Sequence, residues 1–135
     1  IKDSGFFEFI RLHAQALVNR DIDAMQAIVY RGAQLHLEHI ARSGDPFEKG
    51  SSRPLDFGHW VAHKLEQLTD FRLRHGEAVA IGIALDSTYS YMQGLLSRLE
   101  WQRILNTLAS LGFILYLPEL AEEADQLEHP RCLFQ

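Results

Sequence analysis

The sequence predicts an all-α fold, close to a helical bundle of about five to six helices. Three observations carry that expectation. Apolar residues recur at helical rather than alternating spacing along most of the chain. Helix start and stop signals bracket those runs. No strand-turn-helix unit, glycine-rich phosphate loop or internal repeat interrupts them.

The elements follow in order. Phe6, Phe7, Phe9, Ile10, His13, Leu17 and Val18 fall on a first helix from Phe6 to about Asn19, which Asp3 or Ser4 can cap. A second helix is expected to start after Asp23, with Gln26 as its capping-box partner. Met25, Ile28, Val29, Leu35, Leu37 and Ile40 give it apolar surface as far as about Arg42. The segment "SGDPFEKGSSRP", residues 43–54, holds two Gly, two Pro and three Ser and reads as a loop. It carries Asp45, Glu48, Lys49 and Arg53, charges that solvent usually covers, although loops on a rigid scaffold often hold binding groups.

A third helix is expected over Gly58 to Leu68, then a break at "TDFRLR". A fourth runs from about Gly76 to Gln93 and stops at Gly94. Its first half, "GEAVAIGIAL", is almost wholly small or aliphatic, so helix backbones can approach it closely and it should be central. Ser97 and Glu100 form a capping box for a fifth helix to about Leu111, ended by Gly112. "FILYL" reads as a short strand or buried extended segment, and "ELAEEADQLE" as a last, acidic helix. Trp60 and Trp101 read as core.

The totals restrict function. A chain of 135 residues suits one domain with one core. Hydrophobic residues make up 47% and charged residues 23%, the balance of a globular protein. Thirteen basic against eighteen acidic residues give a net charge of −5, which argues against a nucleic-acid partner. Cys132 is the sole cysteine, so no internal disulfide forms. No apolar run reaches the length of a bilayer span, and a cytoplasmic location is the expectation. The chain starts "IKDSGFFEF" without Met and ends "EHPRCLFQ", which suggests a piece of a longer protein.

Candidate chemistry centres on Asp56 to Gly82, "DFGHWVAHKLEQLTDFRLRHGEAVAIG", which holds His59, His63 and His75. On a helix His59 and His63 share a face that Glu66 continues at i+7, an arrangement able to grip zinc or another transition metal. An H-x3-H pair by itself is more often two ordinary interior or surface histidines. His75 opens the next helix, and a helix hairpin brings such ends together. Glu77 lies nearby, but acids in a first helical turn usually serve the helix dipole. Asp86 and Tyr89 lie in a segment that looks buried, where an acid needs a partner; a structural hydrogen bond is the plainer reading. His13, His36 and His39 read as packing residues, and the spacing of His129 and Cys132 is discounted.

These residues carry a resemblance. "GHWVAHKLE" followed by "HGEAVAIGIAL" resembles the C-terminal helical domain of the sugar phosphate cyclases of the 3-dehydroquinate synthase type, where "GHxxGHAxE" is followed by "HGEAVAIGM". Gly58, His59, His63, Glu66, His75, Gly76 and Glu77 match at the family's spacing. Ile1 to Phe7 is similar to the start of the family's helical domain, and the resemblance covers roughly residues 1–117. It implies an enzyme with an N-terminal NAD-binding α/β domain and a divalent metal, zinc or cobalt, between the domains. The implied reaction is a phosphate-eliminating cyclisation: a substrate hydroxyl is oxidised by NAD, phosphate leaves, the ketone is reduced and an aldol step closes a carbocycle. Homodimers are common in the family.

Carried over by residue, the resemblance implies His59 and His75 as metal ligands. The family's third ligand is a Glu in an "EVIK" segment whose "IK" matches Ile1 and Lys2, so that ligand would precede Ile1. Lys2, Glu48 and His63 match catalytic residues of the substrate pocket, His63 as a pocket residue and not a ligand. Arg53 and Asp56 match the substrate-binding region. The chain departs from the pattern there. Asp56 stands where an Asn helps hold phosphate, and an anion repels a phosphate dianion at short range. Ser52 stands where an Arg that binds a substrate carboxylate is expected, with Arg53 displaced by one position, and Pro54 stiffens the turn. Cyclases whose substrates lack a carboxylate also tend to an acid at the Asn position, so the substrate here is expected to differ from that of 3-dehydroquinate synthase itself.

Two rivals remain at this stage. One is a metal-dependent polyol or alcohol dehydrogenase of the same superfamily, which shares the domain plan and the two histidines. The other is a non-catalytic helical interaction module. Metal binding by the piece alone is expected to be weak.

Overall fold

The computed structural model describes residues 3–42 and 56–133. Among them are α1 (Ser4–Leu12), α2 (Ala14–Val18), α3 (Ile22–Arg42), α4 (His59–Leu68), α5 (His75–Met92), α6 (Arg98–Ser110) and a 3-10 turn (Pro118–Ala121). No described residue lies in a strand, so the all-α expectation holds. No helix among the described residues is long and apolar enough to cross a membrane. The helices gather into two compact units, Ile1–Arg53 and Pro54–Gln135.

In the first unit Asp3 does two tasks. Its carboxylate caps α1 by accepting from the Phe6 N–H at 2.8 Å. It also accepts from the Arg31 guanidinium at 3.0 and 2.6 Å, which fastens α1 to α3. The helix expected as one piece from Phe6 to Asn19 is broken at His13. The His13 ring stacks on Phe9 with centroids 4.1 Å apart, and its Nδ1 reaches the Phe9 carbonyl at 2.8 Å, competing for a helical acceptor. Asp21, not Asp23, caps α3, through the Ala24 N–H at 2.9 Å. Helix α3 leaves Ile22, Val29, Tyr30 and Leu37 exposed.

The second unit is built on a hairpin of α4 and α5. Val61, Leu65 and Ile81 are fully or almost fully buried in its core, joined by Leu133. Burying each such side chain contributes roughly 1.5–3 kcal/mol. The start of α4 presses directly on α5. A Cβ on Gly82 would lie 1.9 Å from the Gly58 carbonyl oxygen, so only glycine fits there. Gly58 itself has φ 79°, a left-handed turn into α4. The return turn is equally tight. Phe71 N–H donates to the Glu66 carbonyl at 2.7 Å and Asp70 N–H to Gln67 at 3.1 Å, a Schellman ending with Asp70 left-handed at φ 51°.

Helix α5 ends at Met92 with Gly94 in the expected stop position. The Ser97–Glu100 capping box opens α6 as expected. Trp101 donates its indole N–H to Thr88 at 3.0 Å and stacks on Tyr91, which docks α6 against α5. "FILYL" is extended but forms no ladder, with Ile114 and Tyr116 exposed. The last acidic helix does not form beyond the 3-10 turn. Glu119 would sit beside Glu122 and Glu123 in a helix, and like charges at that spacing repel. Instead the chain turns back. Arg131 pairs with Glu122 and Lys64 Nζ donates to the Pro130 carbonyl at 2.9 Å, which delivers buried Cys132 and Leu133 to the back of α4. Cys132 is therefore a packing residue, and His129 lies in the turn before it with its Nδ1 accepting from the Arg131 N–H.

Two outcomes test this packing. Gly82→Ala is expected to destabilise the protein by about 1–3 kcal/mol in urea unfolding, while Gly76→Ala, whose Cβ meets nothing within 4 Å, should not; equal stabilities would contradict the close approach. The second concerns acid. The Phe6 N–H, and after it Arg31, hold the Asp3 carboxyl below the usual aspartate range. That stabilisation is present above the ordinary aspartate pKa and is lost as the pH falls through the lowered folded value. Asp3→Asn should therefore lower stability near neutrality and reduce its steepness on the acid side; an unchanged stability–pH curve would refute the link.

Candidate metal centre

The hairpin brings the three histidines of the sequence motif together. His59 opens α4, His63 follows one turn on, and His75 opens α5. Ring centroids are 5.4 Å apart for His59 and His75, 6.0 Å for His59 and His63, and 5.8 Å for His63 and His75. The His63 and His75 side chains are 66% and 53% exposed. Of the plainer reading, interior or surface, His63 therefore keeps only the surface half.

Each ring is held through Nδ1. His59 Nδ1 lies 3.3 Å from the Phe57 carbonyl. Glu66 serves the other two: one carboxylate oxygen lies 3.3 Å from His63 Nδ1, the other 3.1 Å from His75 Nδ1. The Glu66 side chain is only 15% exposed, so a mostly buried carboxylate stands beneath two open imidazoles. Spacing had placed Glu66 on the His59–His63 face; only the turn at Asp70 and Phe71 brings His75 to it.

This donor set fits a divalent transition metal or zinc. Imidazole nitrogens are the preferred ligands of such ions, and their far ring nitrogens are normally held by a carboxylate or carbonyl. Both kinds of acceptor are present here. One ligand atom each from His63, Glu66 and His75 lies within 4.8 Å of the others, so small ring rotations would bring this trio to bonding separation too. Glu77 stands apart from these contacts: it accepts from the Arg74 N–H at 3.0 Å and from its guanidinium, which lowers its pKa. It closes the start of α5, as an acid in a first turn usually does.

The neighbouring acid is structural. Asp86 accepts from the Gly58 N–H at 2.6 Å and from the Trp60 indole N–H at 2.9 Å. It thus ties the turn that presents His59 to the middle of α5. Trp60, expected in the core, is 47% exposed, and Tyr89 is exposed as well. Asp56 is exposed in the same turn, and its carbonyl accepts the His59 N–H at 2.8 Å. Lys2, Glu48, Ser52, Arg53 and Pro54 lie outside the described residues.

A helical domain that gathers GH and HGE histidines on one hairpin defines a class, and comparison with known proteins agrees. The family model described as "3-dehydroquinate synthase C-terminal" matches residues 1–129. The chain belongs to that family. It is 35% identical over 119 residues to a 3-dehydroquinate synthase of Geobacter sp. (strain M21), covering 87% of this chain and 32% of the relative. It is 37% identical over 112 residues to one of Jannaschia sp. (strain CCS1), covering 82% and 30%. A bifunctional 3-dehydroquinate synthase/phosphatase of Fusobacterium nucleatum is 31% identical over 121 residues, covering 87% and 18%. The chain therefore spans about a third or less of the length of these relatives. No solved structure matches it significantly.

Asp86 offers a direct test of how the site is held. Asp86→Ala removes a charged acceptor from two N–H groups and is expected to cost about 1–3 kcal/mol in urea unfolding. The Trp60 emission should shift at the same time, read in a Trp101→Phe background. Wild-type stability and emission would contradict the role given to Asp86.

Proposed function

We propose that this chain is the helical metal- and substrate-binding domain of an NAD- and metal-dependent sugar phosphate cyclase of the 3-dehydroquinate synthase type. The observation that carries the reading is the convergence of His59, His63 and His75 in a chain matched by that family over residues 1–129. Zinc or cobalt held by His59 and His75 would supply Lewis acidity to a substrate hydroxyl, lowering its pKa for oxidation.

The residues themselves do the rest of the work assigned here. His59 and His75 open α4 and α5 with Nδ1 engaged, which leaves Nε2 as the donor atom of each ring. His63 is the more open of the Glu66-linked pair, and with its Nδ1 engaged its Nε2 is assigned here to hold or move a proton on bound substrate. Asp56, exposed in the turn before α4, places negative charge near His59, so the substrate's phosphate would lie away from that turn. Lys2, Glu48 and Arg53 are assigned to the substrate by the sequence resemblance alone. No described residue is assigned to NAD, which the proposal gives to a separate α/β domain. The resulting enzyme would be a carbon–oxygen lyase, acting on a sugar phosphate that need not carry a carboxylate.

The test uses the full-length protein, loaded with NAD and zinc or cobalt and offered sugar phosphates with and without a carboxylate. Phosphate release without net NADH accumulation is the expected result. His59→Ala and His75→Ala should each lose the bound metal by elemental analysis. His63→Ala should keep the metal and lose roughly 10²–10⁴-fold in kcat. No phosphate from any substrate would sink the reading, and NADH accumulation on a simple polyol would replace it with a dehydrogenase.

A further inference from the structure

We propose that Glu66 is a positioning residue that orients two histidines of the site at once. It deepens the cyclase reading and rests on it for the roles of His63 and His75. A surface His–Glu pair three residues apart on one helix is ordinary and of little consequence. Glu66 differs in two ways. Its second oxygen reaches across the hairpin to His75, nine residues on and in another helix, at 3.1 Å. Its side chain is 15% exposed while the two rings it holds are 66% and 53% exposed, so the acceptor is fixed and the rings are not otherwise enclosed.

The backbone of Glu66 is fixed as well. Its carbonyl accepts the Phe71 N–H at 2.7 Å and the Thr69 hydroxyl at 3.3 Å, in the last turn of α4. The preceding residue, Leu65, is fully buried in the core. The carboxylate is thus carried on a fixed stretch of backbone and reaches a ring on each helix.

The chemistry follows from the acceptor. A carboxylate only accepts, so each bond requires the hydrogen on Nδ1 and leaves Nε2 with its lone pair in the neutral ring. Glu66 thereby sets the same tautomer in His63 and His75 and leaves both Nε2 atoms clear of its own carboxylate. One residue joins the proposed metal ligand to the proposed pocket histidine. The trio could alternatively bind metal with Glu66 as a ligand, but Nδ1 would then carry no hydrogen, and the two arrangements are distinguishable.

The experiment is proton–nitrogen correlation spectroscopy of the histidine rings in full-length protein labelled with nitrogen-15 histidine, metal-free and then zinc-loaded, at a pH where the rings are neutral. His63 and His75 should both carry hydrogen on Nδ1. In Glu66→Gln, whose amide has a single acceptor oxygen, at least one ring should revert to hydrogen on Nε2. The same variant should bind zinc about 10–100-fold more weakly in chelator competition, with kcat falling more than KM rises. Hydrogen on Nε2 of either ring in the wild type overturns the proposal, and so do unchanged tautomers and zinc affinity in a folded Glu66→Gln. Should Glu66→Gln fail to fold, the wild-type spectrum alone decides. A protein with the expected tautomers that releases no phosphate from any sugar phosphate would retain the Glu66 arrangement and lose the cyclase reading.

Discussion

The contact between Gly58 and Gly82 is the constraint on which the site depends. The carbonyl of Gly58 occupies the space where any side chain at position 82 would begin. That contact fixes how far α4 can slide along α5, and the Asp86 carboxylate fastens the same turn from the far side. With the register set, the His59 and His75 ring centroids come within 5.4 Å although the residues are sixteen positions apart. The core formed by Val61, Leu65 and Ile81 lies on one side of the hairpin, and the returning tail seals it with Leu133. The histidines are left on the open side. Packing and chemistry use opposite faces of α4, so the helix can be rigid and its imidazoles accessible.

The polar side is graded in the same way. The mostly buried Glu66 carboxylate lies at the base, with exposed rings above it. Such an arrangement costs little desolvation for the rings and keeps the acceptor where water competes least. It is the pattern expected when imidazoles must be held in one orientation for a ligand that arrives from solvent. Membership of the 3-dehydroquinate synthase C-terminal family is what supports the proposed reaction class. Under that proposal, the departures at Ser52 and Asp56 are the sequence features that bear on which sugar phosphate is accepted.

Much of the second unit was legible beforehand. The boundaries of α4, α5 and α6 came from local signals that the structure retains: Gly58, Gly94 and the Ser97–Glu100 box. The small-residue run of α5 pointed to a close helix approach, and Gly82 is where it occurs. The failures have physical causes. The break at His13 carries no Gly or Pro; it arises from a ring that bonds its own helix. The acidic tail has helical composition, but its charges repel, and the pull of Leu133 into the core decides its path. Trp60 was misread because its indole N–H needed Asp86 more than its ring needed burial. The role of Glu66 was only half legible, since periodicity shows the α4 face but not which residue a turn through left-handed Asp70 and Phe71 will bring opposite. Lys2, Glu48 and Arg53 fall outside the described residues.

The central claim is that His59 and His75, across the hairpin, are the metal-binding pair and His63 is not. Cadmium-113 substituted into the full-length protein labelled with nitrogen-15 histidine reads this directly through one-bond cadmium–nitrogen couplings. The account predicts couplings to Nε2 of His59 and His75 and none to His63. A coupling to Nδ1 of His63, or none to His59, would contradict it and move the metal to the His63–Glu66–His75 trio.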